Sequence, residues 1–428
     1  MTRLRKKLEN LAIAIKTRNI NDAHKYAKNT ILILAGVSIS LVLSNNGVIS
    51  KAKDARNQYA EAQTNDEKQL NEISDWIDTK VGDTTGGDSV TKIDGVPIPD
   101  GYYYVGGTKA KGLVISDAEA DNEKYKEQEN VGKDLAGNQW VWVPVETPSS
   151  LYTTVAEGKT LSGNTGVKTT KYTNSEIISG ITRVQPGSTS SYKEPDIVTT
   201  YDNDTNAKTA GFSSLANMAE TMKSDYEEMI KSLEKYKGFY IGRYELTADG
   251  EKTGATQTCE NGVNWYTLYK NCTTLAVGSK VKTRMIWGLQ WDATCKWLAT
   301  SKFDITDSSK WGNYSNNTAD GHGTEQNTGF SESWKANNIY DFAGNCLEFT
   351  QEAYLTVSRA IRGGYCGNDG SSTPVSRRSS GNPTLTFNNY GSRPTLYLIP
   401  WDIEAKSSKE DLKTSMTKGK QKEGYANA

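Results

Sequence analysis

The chain contains Asn338-Ile339-Tyr340-Asp341-Phe342-Ala343-Gly344-Asn345-Cys346-Leu347-Glu348-Phe349, then Arg362-Gly363-Gly364, then Gly391-Ser392-Arg393-Pro394. These phrases decide the fold, and the segment between the last two bears on function. Working outward, Trp287-Gly288-Leu289-Gln290-Trp291-Asp292-Ala293-Thr294-Cys295-Lys296-Trp297-Leu298 reads as a Trp-rich helix. Phe239-Tyr240-Ile241-Gly242-Arg243-Tyr244-Glu245-Leu246-Thr247 reads as a strand. Before it, Leu215–Lys237 is a helix charged on one face and stopped at Gly238. Aromatic strands are expected at Gly101–Gly107 and at Trp140–Val145. From Glu146 to about Asn206 the text is rich in Thr and Ser with no clear period, which reads as a long loop or insertion. No internal repeat is visible.

Four of these phrases, in this order, resemble the formylglycine-generating-enzyme (sulfatase-modifying-factor) branch of the C-type lectin fold. The matching phrases of that branch are F-x-I-G-x-Y-E-V-T, W-x-D-A-x-x-(Y)-C-x-W-L, N-x-Y-D-x-x-G-N-x-W-E-W, and R-G-G-S followed by G-F-R. The resemblance implies an α+β fold of a few helices, short twisted antiparallel strands and much irregular loop, over 96–404. Ser392 departs from the apolar residue usual after the Gly. The same fold serves two jobs, oxidation of a sulfatase cysteine and display of a hypervariable binding face.

Composition narrows the choice. The chain has 428 residues and a net charge of −1, so no global field favours nucleic acid, and none is expected as a partner. Two histidines argue against a multi-His metal site or a His-dependent triad. Mean hydropathy is −0.65, which points to long polar loops and solvated tails. Ten Trp and 23 Tyr against seven Phe suit a loop-rich or β-rich fold whose aromatics keep a polar edge. Five cysteines show neither CxxC nor zinc spacing, and an odd count leaves at least one thiol unpaired. Cys259 and Cys272 are close enough in sequence to bridge a loop, and Cys295 reads as a small buried hydrophobe.

The chain divides into a basic segment at 1–28, an apolar helix and helical stalk at 29–80, and a linker at 81–95. The main domain follows at 96–404, then a Lys-rich polar tail at 405–428 read as disordered. The run Thr30–Leu43 is about 14 uncharged residues, and Ser44–Ile49 extends it toward the roughly 20 a helix needs to cross a bilayer. It resembles the N-terminal helix of prepilin-like proteins of Gram-positive bacteria. With basic residues on its N-terminal side, it is expected to anchor the chain in a membrane with the C-terminal domain outside, at the cell surface.

The resemblance implies three chemistries. Formylglycine-generating enzymes hold copper with two cysteines a few residues after R-G-G; soft thiolates suit Cu(I). Here Cys366 stands alone after Arg362-Gly363-Gly364, so no copper and no enzyme activity are expected. The family's G-N-x-W-E-W loop wraps a structural calcium ion, and its ligands would fall on Asp341, Gly344, Cys346 and Glu348, with carboxylate and carbonyl oxygens suited to a hard cation. The third concerns 365–392, which contains no Lys, Glu, Gln, Met or Trp although the chain is 24% charged and carries ten Trp. Codons of the form NNY cannot encode those five amino acids. The run thus resembles the variable region of diversity-generating retroelement target proteins, although Ser, Gly, Asn and Pro are also ordinary turn chemistry. On that reading the contact residues are Tyr365, Cys366, Asn368, Thr373, Val375, Arg377, Leu385, Phe387, Asn388 and Tyr390, a mixture of rigid aromatics and adaptable polar groups like that of antibody paratopes. Of Arg377 and Arg378, one is expected to pack structurally. The expected partner is a protein or glycan on another cell or particle. Alternatives are a formylglycine-generating-type oxidase, a pilin-like structural subunit and a phage receptor-binding protein.

Overall fold

The computed structural model describes residues 90–146, 181–184, 191–250 and 252–400. The basic segment, apolar helix, stalk and polar tail expected from the sequence lie outside the described residues. Among the described residues no helix is long and apolar enough to cross a membrane.

Two mixed layers follow from two strand sets. The first sheet runs in the order Tyr103–Gly106, Val114–Ser116, Gln139–Pro144, Gly238–Gly242, Pro394–Leu398, Val281–Met285, every pair antiparallel. Its central strands read as continuous apolar or aromatic runs, and all five residues of Gly238–Gly242 and of Pro394–Leu398 are buried. The second sheet runs Ser379–Gly381, Ser358–Arg362, Leu347–Tyr354, Ser191–Glu194, Ile181–Val184, again antiparallel along its path. Tyr390–Ser392 adds a short parallel pairing to Leu347–Phe349.

Among the described residues there are four α-helices: α1 (Asp204–Thr209), which packs on α2 (Leu215–Tyr236) and α3 (Trp265–Cys272), and α4 (Gly288–Thr300); α2, α3 and α4 lie against the strands. In α2 the Ser214 hydroxyl accepts from Asn217 N–H, a side-chain cap on the first turn. Met218, Met222, Tyr226, Met229, Ile230 and Leu233 recur at helical spacing and are all buried, which explains why a polar sequence still holds a helix. The helix ends where Lys237 adopts φ 63°, one residue before Gly238, close to the boundary expected from sequence.

Three expectations change. The compact unit begins at Val90 and not at 96, because Thr91–Ile93 pairs with Val96–Ile98 across Asp94-Gly95. Both turn residues have positive φ, the geometry a two-residue hairpin demands and Asp-Gly supplies. The stretch read as loop up to Asn206 contains the hairpin strands Ile181–Val184 and Ser191–Glu194. Tyr192 and Glu194 point inward while Lys193 is exposed, a two-residue period too short to see in Thr/Ser-rich text. The disulfide joins Cys259 to Cys346, 87 residues apart, and not Cys259 to Cys272. Cys272 instead ends buried in α3, 3.7 Å from the Ser392 hydroxyl.

Candidate functional site: an exposed tip on a buried charged frame

The segment 362–393 is fastened at its start, middle and end by buried arginines. Arg362 donates to Asp292 at 2.9 Å and to the carbonyls of Ser376 and Arg377 at 3.1 and 3.0 Å. Arg378 also donates to Asp292, and to Glu352 at 2.9 Å, so one α4 carboxylate ties two points of the segment together. Arg393 makes a forked contact with Glu348, 3.0 Å from Nε and 2.7 Å from Nη2, and donates to the carbonyls of Gly242 and Tyr340, each at 3.0 Å. The planar guanidinium suits this role because its donors are fixed in a fork and its charge cannot be titrated away. Of the pair Arg377 and Arg378, Arg378 is the structural one. Arg377 is half-buried and caps the local turn through the Ser372 carbonyl at 2.8 Å.

Between these anchors the chain leans on the loop 304–317. The Gly370 N–H donates to Asn316, Ser315 N–H donates to the Asn368 carbonyl, and Ser308 Oγ accepts from Val375 N–H. Trp291 Nε1 of α4 donates to the Val375 carbonyl at 2.9 Å. Asp369 accepts from the N–H groups of Ser371 and Ser372 and from the Ser371 hydroxyl, a turn that favours its charged form and holds its carboxyl below the usual range. Gly363 and Gly364 both have positive φ, and a Cβ on Gly364 would meet the Tyr314 ring at 2.8 Å.

The expected contact residues separate into two groups. Leu385, Phe387 and Asn388 are exposed, Leu385 at 46% and Phe387 at 38%. Tyr365, Asn368, Thr373, Arg377 and Tyr390 are half-buried. The Phe387 and Tyr390 rings sit 4.6 Å apart, and Tyr390 also meets Phe349 edge-on at 5.4 Å, so the tip is seated on core aromatics. Two expectations fail. Val375 is fully buried and Cys366 nearly so, at 9%, which removes both from the outer surface. Their neighbours explain it: Val375 lies under α4, and the Cys366 N–H donates to the Asn345 carbonyl at 3.0 Å, folding the residue inward. Burial, with the Glu325 carboxylate nearby, pushes the Cys366 thiol above its ordinary range.

The residues expected to hold calcium are placed as follows. Asp341 is buried with φ 54°; its Oδ2 accepts from Gly329 N–H at 2.7 Å, and its Oδ1 has no hydrogen-bond partner among the described residues. Gly344 has φ 78°, and a Cβ there would meet the Asn313 carbonyl at 2.1 Å, so only glycine fits. Cys346 carries the disulfide, and its N–H donates to Glu245 at 3.1 Å. Glu348 has both oxygens on Arg393, which leaves Asp341 Oδ1 as the one open carboxylate oxygen of the set. Burial lifts Asp341 to about 6 and Glu348 to about 7, with Arg393 opposing the lift in each. Burial also holds Glu245 well above the carboxylate range, reinforced by Asp341 and Glu348.

The sequence reading missed Glu245 as a member of this group. Its carboxylate accepts from Asn345 Nδ2 at 2.8 Å and lies with the Cys259 and Cys346 sulphurs in one buried cluster, all ligand atoms within 4.8 Å. An acidic residue set between Tyr244 and Leu246 in the phrase Phe239–Thr247 was the available signal.

No protein-family model matches the chain, and no curated protein matches it. Among solved structures, similar chains include the Treponema denticola variable protein 1 at 16% identity and TM-score 0.29, covering 38% of this chain and 85% of that one. CarF is similar at 12% identity and TM-score 0.27, over 38% and 87% of the two chains. PvdO from Pseudomonas aeruginosa is similar at 16% identity and TM-score 0.28, over 38% and 82%. Each is a weak and partial likeness.

Proposed function

We propose that this chain is a non-enzymatic ligand-binding protein with a C-type lectin-like fold, whose recognition face within 365–392 is rewritten by adenine-directed diversification. The observation that supports this reading most is a coincidence of composition and position. The run that lacks Lys, Glu, Gln, Met and Trp is the run whose tip, Leu385 to Asn388, stands exposed between backbone positions fixed from outside it. Ligand capture then depends on side chains that can change while the anchors at Arg362 and Arg393 stay. The ligand is a protein or glycan carried by another cell or particle. The N-terminal segments tether the domain to a membrane with the face outward, and a calcium ion in the Gly344 turn would use Asp341 Oδ1 as its one open carboxylate oxygen.

The test is genomic and then biochemical. DNA encoding 365–392 is expected to have a near-copy, differing only at adenines, beside a reverse-transcriptase gene. Natural variants of the tip are expected to capture different ligands from a displayed glycan or protein panel. An invariant 365–392 sequence across a population, together with aldehyde formation on a cysteine-containing sulfatase peptide in the presence of copper, overturns the reading in favour of the oxidase.

A further inference from the structure

The cluster beneath the tip holds more acid than its hydrogen bonds require. Glu245 is fully buried, yet the hydrogen bonds it accepts come from neutral donors, the Asn345 amide and the Cys346 N–H. Its oxygen, Cys259 Sγ and Cys346 Sγ converge within 4.8 Å. A fourth donor approaches from the surface: exposed Glu325 has Oε1 3.8 Å from Cys259 Sγ and is held there by Asn261 Nδ2 at 2.8 Å. Two sulphurs and a buried carboxylate lie around one point, and a surface carboxylate borders it on the Cys259 side; together they are the donor types that four-coordinate zinc takes.

We infer that the reduced form of this protein binds a zinc ion through Cys259, Cys346, Glu245 and Glu325, and that the disulfide and the ion are mutually exclusive occupants of one site. Zinc takes thiolate at about 2.3 Å and carboxylate at about 2.0–2.2 Å in four-coordinate geometry, which sets two ligand sulphurs about 3.7 Å apart. The Cys259 and Cys346 Cα atoms stand 7.0 Å apart, a separation that accommodates such a pair without moving either backbone far. Reduction takes two electrons and two protons from a dithiol, which leaves as its own disulfide. The two thiols then release their protons to solvent as zinc binds. The positive ion offsets Glu245, and either occupant ties the 259–262 loop to the Gly344 turn. The 259–262 loop in turn holds the tip, because Gly262 N–H donates to the Phe387 carbonyl at 2.9 Å. The tip is thus supported before and after oxidation.

The test uses the full chain, reduced with dithiothreitol, desalted without oxygen, and mixed with zinc alone or with cobalt(II) as a spectroscopic substitute. The reduced protein is expected to retain a single zinc ion through desalting and to show thiolate-to-cobalt charge-transfer absorption, while the oxidised protein retains none. Cys259→Ser removes the charge-transfer band of the pair, and Cys366→Ser leaves it intact. Glu325→Gln lies at the surface and keeps the far-UV spectrum; it lowers zinc affinity about tenfold or more. No retained zinc in the reduced chain overturns the inference, as does a band that survives Cys259→Ser or disappears with Cys366→Ser. Zinc affinity equal to wild type in Glu325→Gln and in Glu245→Gln overturns it as well.

Discussion

Arg393 and Phe387 lie six residues apart in one segment and represent opposite ways of using a side chain. Arg393 is wholly buried, its hydrogen bonds to Glu348, Gly242 and Tyr340 are all within 3.1 Å, and its removal would strand Glu348 in the interior. Phe387 is 38% exposed; its ring rests on Tyr390 at the surface, and its backbone carbonyl accepts from Gly262 N–H. The difference teaches that this segment separates what fixes the backbone from what meets solvent. A surface can change its chemistry freely only when its shape is specified by other residues.

The comparison can be broken by substitution. The largest effect is expected for Arg393→Ala, which leaves a buried carboxylate without its counter-charge and costs about 3–5 kcal/mol. Chemical denaturation should show a large drop in midpoint, and a change below about 1 kcal/mol would show that the frame does not depend on that pair. Val375→Ala sits between the extremes, since the residue lies in the same compositional run but is buried under α4. It should cost about 2 kcal/mol, the order of a deleted core methyl pair.

A third test uses protons. Asp341 and Glu348 are lifted from 3.8 and 4.5 to about 6 and about 7, so the folded chain holds their protons more tightly than the unfolded chain. Their contribution to stability is therefore greatest at low pH, falls as pH rises from about 4 to about 7, and is level above that. Denaturation midpoints measured across that window should decline. A rise would mean that both groups ionise more readily in the fold, as fully compensated ion pairs do. The smallest effect is expected for Leu385→Ser combined with Phe387→Ser, which should shift stability by no more than about 0.5 kcal/mol per site while abolishing ligand capture. Loss of folding in that variant would place the tip among the structural residues.

Much of this was readable in the sequence where local chemistry decides. The α2 helix and its stop, the aromatic strands and the Trp-rich helix all follow from periodicity, capping and turn residues within a dozen positions. What escaped was set by long-range contact. The Cys259–Cys346 pairing depends on two loops 87 residues apart meeting, and proximity in the chain suggested the wrong partner for Cys259. Val375 and Cys366 read as surface because their neighbours are polar, yet α4 and the Asn345 carbonyl draw them inward. Arg377 and Arg378 are adjacent and identical in type; only the positions of Asp292 and Glu352 distinguish them.

The tip is also bonded through its main chain. The carbonyls of Pro383, Phe387 and Asn389 accept from Trp265, Gly262 and Leu347 respectively. None of those bonds consults the letter written at 384–388, apart from proline, which would force its own backbone angles. A combinatorial library built across those five codons should therefore keep one loop shape, making this segment a ready-made scaffold for selecting new binders.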